Sequence, residues 1–317
     1  MNQNHLINTK KNNLSKDDIL KLVWKSIIKY KYILVLILTG IFLFVIFLYF
    51  LTGSLDQISH FCNKDNYLFY WMLLVGFAAE MVAGSMGMGY GVICTTILLM
   101  LNLPGPVISA SIHSAESFTS AAGAISHYKY GNVNKKLVKL LAIPAVIGAI
   151  IGALALVMAS HKNPVFIKPL LACYTMYLGI KIILNAFAGK MKNKKKVNIP
   201  VLAFTGGFID SFGGGGWGPL VTGTFIKNGR TPRYVIGSSS FAKFILTLAS
   251  AFTFVFAGGF SHWNIVAGLL IGGVITAPFS AMLTSQLPVK KMFIIVGFVV
   301  IGCSLITIGR FIFVSLM

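Results

Sequence analysis

Hydrophobic positions along this chain come in long blocks rather than in strand-like alternation. Apolar stretches run over residues 32–52, 68–102, 107–127, 137–159, 165–187, 199–226, 233–257, 263–283 and 291–313, separated by short polar segments. About 20 apolar residues cross the hydrocarbon of a bilayer as one helix, so all but two of these stretches predict single transmembrane helices. The exceptions are 68–102 and 199–226. The first is too long for one helix and contains "AGSMGMGYG" (83–91). The second contains "FIDSFGGGGWGPL" (208–220), with a charged Asp210, four consecutive glycines, a Trp and a Pro. Each breaks its own helix near the middle.

Lysine and arginine positions decide whether the broken segments cross or turn back. If each crosses once, the loop with Lys129, Lys135, Lys136 and Lys139 and the tract with Lys190, Lys192, Lys194, Lys195 and Lys196 fall outside. Cytoplasmic loops normally carry such an excess of positive charge, so that topology is disfavoured. If both segments are re-entrant hairpins, 22 of the 27 basic residues lie on the cytoplasmic side with the N-terminus, four lie outside and Lys243 lies within the membrane. Three crossing helices follow each hairpin. The two units then start on opposite sides, as an inverted repeat does.

The predicted organisation is a cytoplasmic basic tail over 1–31 and an extra transmembrane helix over 32–52. Repeat 1 spans 68–187, a basic linker 188–198 and repeat 2 199–313. The fold class is all-α polytopic membrane protein, in the plasma (inner) membrane. A shift of 127 residues supports the duplication: "GYG" (89–91) falls on "GWG" (216–218), Gly87 on Gly214, Ser111 on Ser238, Gly131 on Gly258 and Glu116 on Lys243.

Composition settles the solvent. Of 317 residues 56% are hydrophobic and 11% charged, with a mean hydropathy of +0.82. The net charge of +20 would point to nucleic acid in a soluble protein; here the lysines sit between apolar stretches and set orientation, so nucleic acid is not an expected partner. Cys62, Cys94, Cys173 and Cys303 are far apart and mostly in apolar sequence, which reads as packing. The spacing predicts no metal site and no cofactor. There is no GxxxxGK[ST] phosphate loop for nucleotide hydrolysis.

The hairpins "GFAAEMVAGSMGMGYG" (76–91) and "GGFIDSFGGGGWGPL" (206–220) are each followed, 20 residues on, by a serine-bearing helix. Together they resemble the TauE/SafE sulfite exporter family over about residues 68–313. The first hairpin departs from the family pattern at Met86 and Met88, and Thr95 and Thr96 stand near where a proline often follows. The resemblance implies a duplicated membrane transporter for sulfite, sulfonates or other small sulfur-containing or organic anions.

Non-helical backbone at membrane depth must be buried in protein or line a cavity. Glycine lets a ligand approach the backbone, and the following half-helix offers free N–H groups to an anion. Gly87, Gly89, Gly214, Gly215 and Gly216 are therefore candidate substrate contacts, against the alternative that they only permit tight packing. Pro219 suits the first turn of the second half-helix.

Past residue 66 the only acidic residues are Glu80, Glu116 and Asp210, all in apolar segments. Intramembrane charge is costly and usually paired or functional, so these three are candidates for coupling or ion pairing. Asp210 can equally hydrogen-bond the broken backbone of its own hairpin. Equivalent positions approach a pseudo-two-fold axis, so Glu116 and Lys243 are expected to pair. Lys243 then either binds the anion or orients two helices. His113, Ser239 and Ser240 are further candidate donors, and Trp217 is either a gate or packing. The expected function is a secondary active transporter of small oxyanions, working by alternating access around a midplane site. An anion channel is the alternative, and a membrane-embedded enzyme a weaker one. Expected partners are a small anionic substrate, the lipid bilayer and a second copy of the chain in a homodimer.

Overall fold

The computed structural model of the chain describes residues 55–86, 88–129, 131–187, 197–258, 262–283 and 289–316. The expected tail and first helix over 1–52, Gly87, and residues 188–196 of the linker lie outside the described residues. All described elements are helical: α1 (Leu55–Met86), α2 (Tyr90–Met100), α3 (Gly105–Lys129), α4 (Lys135–Lys162), α5 (Pro164–Phe187) and α6 (Ile199–Gly213). A π-helical turn at Gly218–Thr222 then leads into α7 (Gly223–Lys227), followed by α8 (Pro232–Gly258), α9 (Trp263–Leu283) and α10 (Val289–Leu316).

Segments within α8 and α10, and the whole of α4 and α5, are long and apolar enough to span a membrane. Their outward faces carry Ile143, Ile147, Met158, Leu184, Phe256, Ile295 and Phe298 in exposed positions. A water-facing surface does not carry so much contiguous apolar area, whereas lipid tails accept it. Tyr67, Tyr70, Trp71 and Trp263 are also exposed, as an interfacial aromatic belt requires. The chain is an all-α polytopic membrane protein.

The second broken segment doubles back. α6 has 15 residues, about 22 Å at 1.5 Å per residue, too short for the roughly 30 Å hydrocarbon core. A Cβ on Gly206 in α6 would overlap Val221 and lie 3.4 Å from the Trp217 ring. Residues 11 and 15 positions downstream thus lie beside α6 rather than beyond it. The bend is made at Gly214, whose φ of 71° is left-handed and suits a residue without a Cβ. Asn198 caps the start of α6 by accepting from the Val201 N–H, with Pro200 in the first turn.

The first broken segment differs from expectation at its start. The apolar pattern begins at residue 68, but α1 begins at Leu55 and includes the polar run through Asn66. Helical backbone needs no apolar stripe to form, so hydropathy alone does not see this extension. Tyr67 has a left-handed φ of 62° inside this helix, and the apolar part of α1 runs on from there. At the tip Gly89 has a φ of 111° and precedes α2, a half-helix of 11 residues. The Tyr90 hydroxyl bonds the Leu269 carbonyl, the same carbonyl that faces Gly76 of α1, so α2 lies back alongside α1.

The helices pair as an inverted repeat. α3 packs on α8, and α5 on α10. α3 and α8 are antiparallel: His113 stacks on Phe254, Ser120 Oγ lies 3.4 Å from Thr247 Oγ1, and the Asn134 N–H just beyond α3 donates to Ser238 Oγ. Ser120 and Thr247 are themselves 127 residues apart, so the pseudo-two-fold axis passes between them. In α5 and α10 the Thr175 and Ser304 hydroxyls meet at 2.8 Å, while Gly179 approaches Gly297 and Val300. Those helices are antiparallel too. α4 packs on α6 through Gly148, Gly152 and Gly207, and α9 packs on α1 through Gly268, Gly272 and Gly76; at each of these glycines a Cβ would strike facing backbone. Close backbone approach through small residues is how helices associate in lipid, where burying apolar surface gains little.

Candidate functional site

The hairpin tips meet backbone to backbone. A Cβ on Gly215 would come within 2.6 Å of the Gly91 carbonyl carbon, and one on Gly91 within 2.8 Å of Gly215 Cα. A Cβ on Gly218 would come within 3.0 Å of Met88 Cα. The two contacts are equivalents under the 127-residue shift, so Met88, which interrupts the first glycine tract, takes the place of Gly215. Tyr90 and Trp217 anchor the tips through their polar ends. The Tyr90 hydroxyl donates to the Leu269 carbonyl at 3.2 Å, and the Trp217 indole N–H donates to Ser239 Oγ at 2.8 Å and to its carbonyl at 3.2 Å.

Trp217 is sealed in the core and clamps the hairpin onto α8. Ser239 is taken up by this clamp and by the Thr222 hydroxyl at 2.5 Å. Ser240 is half-buried and makes no side-chain hydrogen bond among the described residues. Asp210 does what its structural reading required: Oδ1 accepts the Trp217 backbone N–H at 2.7 Å and caps the second half-helix. The end that the sequence offers to a free anion is thus already bonded to the chain's own carboxylate. On the first tip α2 has no side-chain cap.

Charge collects where the axis crosses. Lys243 Nζ donates to Glu116 Oε1, joining α8 to α3; the side chains retain 16% and 4% of their exposure. Ser109, His113, Glu116 and Ser120 form one stripe of α3 at helical spacing. His113 Nε2 donates to the Asp210 carbonyl at 3.1 Å, which leaves Nδ1 as an acceptor in the neutral ring. Asp210 brings a carboxylate oxygen within 4.8 Å of ligand atoms of His113 and Glu116. The site therefore gathers two carboxylates, one ammonium and one imidazole. Five buried atoms in and beside it have no hydrogen-bond partner among the described residues: Thr95 Oγ1, Ser109 Oγ, His113 Nδ1, Glu116 Oε2 and Asp210 Oδ2. The Ser109 hydroxyl is 3.4 Å from where a Gly214 Cβ would stand, and Thr95 contacts the same point. The two hydroxyls meet the second hairpin at its bend.

The structure brings together Lys243, Glu116, His113 and Asp210, with Gly214 and Gly215 at the tip contact. Gly216 packs on the Tyr174 hydroxyl, and that hydroxyl donates to the Gly215 carbonyl. Tyr174 was not singled out from the sequence, and neither was Thr95 as a donor. A tyrosine in an apolar helix carries no local mark of what its hydroxyl reaches. A cavity of about 560 Å³ opens elsewhere, at the Pro104–Pro106 turn, the end of α4, the start of α5 and Phe311. None of the charged cluster lines it.

Two glycine hairpins that meet at their tips, with a buried ion pair on the helices that follow them, are the architecture of inverted-repeat membrane transporters. The chain belongs to the sulfite exporter TauE/SafE family, whose model matches residues 72–306. It is 34% identical over 233 residues to the probable membrane transporter protein YtnM of Bacillus subtilis (strain 168), covering 70% of this chain and 77% of that one. It is 23% identical over 228 residues to the probable membrane transporter protein YdhB of the same organism, covering 68% and 91%. With YjnA, a third probable membrane transporter protein from that strain, it shares 25% identity over 219 residues, covering 64% and 85%. No solved structure matches the chain. The protein is a multi-pass membrane transporter and not an enzyme.

Proposed function

We propose that the protein is a secondary carrier for small sulfur-containing or organic oxyanions, of the sulfite or sulfonate type, in the plasma membrane with its N-terminus cytoplasmic. The two halves exchange access to a shared midplane site. Lys243 on the pseudo-two-fold crossing is the observation that carries this reading: it is a cation held in the interior, where transfer from water costs about 2.5–3.5 kcal/mol on insertion scales. Thr95 and Ser109, buried at the hairpin tip and unpartnered among the described residues, add neutral donors for oxyanion oxygens. They suit that role better than Ser239, whose hydroxyl is already engaged.

The test is flux. The full chain in liposomes is given labelled sulfite, thiosulfate, a sulfonate and a small carboxylate, with and without ion gradients. Saturable uptake of at least one oxyanion, accelerated by unlabelled substrate on the far side, is expected. Flux without such counterflow would make it a channel, and no flux of any of the four would overturn the substrate class. Cysteine labelling from either face tests orientation, with residues 129–139 and 227–233 expected on the same side as the N-terminus.

A further inference from the structure

His113, Glu116 and Asp210 sit on two different helices, and the fold brings one potential ligand atom of each within 4.8 Å of the other two. All three side chains are at least nine-tenths buried, and each keeps a buried atom without a partner among the described residues: Nδ1, Oε2 and Oδ2. Their other atoms are committed. His113 Nε2 is on the Asp210 carbonyl, Glu116 Oε1 on Lys243, and Asp210 Oδ1 on the Trp217 N–H. Those commitments fix the character of the remaining atoms. A neutral imidazole that donates through Nε2 has a lone pair on Nδ1, and an ion-paired or capping carboxylate presents only acceptors.

Buried acceptors without donors are costly, so a donor or a cation belongs among them. A single water donates only two hydrogens and offsets no charge, and it would leave one acceptor bare. A metal cation satisfies all three at once. One imidazole nitrogen with two carboxylate oxygens is a mixed donor set that suits a first-row divalent ion such as Mn²⁺ or Zn²⁺.

We propose that His113, Glu116 and Asp210 hold a single small metal cation at the centre of the molecule. The cation sits one helix turn from Ser109 and beside Lys243, where it offsets the carboxylates that would otherwise repel an anion. That coupling to the substrate rests on the carrier reading; the cation site itself does not.

The full chain, purified in detergent at one fixed pH, is titrated with Mn²⁺, Zn²⁺ and Na⁺ in the absence of any anion. Thermal unfolding is followed for each ion, and paramagnetic resonance for Mn²⁺. A saturable rise in Tm with one bound ion per chain is expected. Asp210→Asn keeps a cap for Trp217 but removes a charged ligand, and should weaken binding by about tenfold or more, as ligand-sphere changes do. Glu116→Gln should act alike and covers the case in which the first variant does not fold. Saturation by Na⁺ alone would assign the same atoms to an alkali ion. If no metal saturates, or if both folded variants bind as the unaltered chain does, the proposal is overturned. Because no transport is measured, metal binding without flux would leave the cation site standing and remove only the carrier reading.

Discussion

The two hairpins occupy equivalent places and solve the same problem differently. In the second, Gly214 makes the bend and Asp210 turns its carboxylate onto the amide that the break exposes. In the first, the equivalent of Asp210 is Ala83, the bend has no side-chain cap, and Met88 fills the space where the partner has Gly215. The scaffold is symmetric and the chemistry is not. Duplication supplies the paired tips and the crossing helices. The divergence between the halves supplies the charge: Glu116 and His113 come from one, Asp210 and Lys243 from the other.

The largest break in this comparison is expected at the pair itself. Lys243→Met leaves Glu116 buried without its cation and should destabilise the protein by about 3–5 kcal/mol, the range for splitting a buried ion pair. Adding Glu116→Leu should restore thermal stability without restoring flux. A double variant as labile as the single would mean that Glu116 is not the group left stranded. Next comes the tip contact. Gly91→Ala drives a methyl into the Gly214 carbonyl and should cost about 1–3 kcal/mol, as overpacking does. The mirror change Gly218→Ala should cost less once combined with Met88→Gly, because the clash there is with a side chain that can be removed. Equal Tm losses in all three would refute the tip crossing.

Asp210→Ala uncaps only the second half-helix and should lower stability by about 0.5–2 kcal/mol, with Asp210→Asn close to the parent in Tm. The smallest change is expected at the crossing point. Ser120→Ala should cost about 0.6 kcal/mol or less, the average for interhelical side-chain hydrogen bonds in membranes, because its 3.4 Å contact with Thr247 is long. A loss several times larger would place more of the helix packing on that pair than its geometry supports.

Much of this was legible from residues alone because lipid makes rare features conspicuous. A lysine and three carboxylates in apolar sequence stand out, and the 127-residue shift placed Glu116 against Lys243, where the structure has them. The "GYG" and "GWG" aromatics were legible as equivalents, though not as anchors for α9 and α8. What the sequence hid was tertiary partnership. Ser239 looked like a free donor beside Lys243, yet the Trp217 indole reaches it from a separate element. Tyr174 reaches the Gly215 carbonyl over 41 residues of separation. The start of α1 at Leu55 was missed because polar residues form helix as readily as apolar ones, and hydropathy reports only the part that meets lipid.

The antiparallel crossing at Ser120 and Thr247 has a thermodynamic corollary. In a cycle of the kind proposed, every shape open to one compartment has a counterpart open to the other with the halves trading roles. Identical halves would make those two shapes degenerate, and the resting protein would divide evenly between them. In such a cycle, mismatched counterparts such as Ala83 and Asp210, Met88 and Gly215, or Glu116 and Lys243 would lift that degeneracy and so set which compartment the empty protein faces.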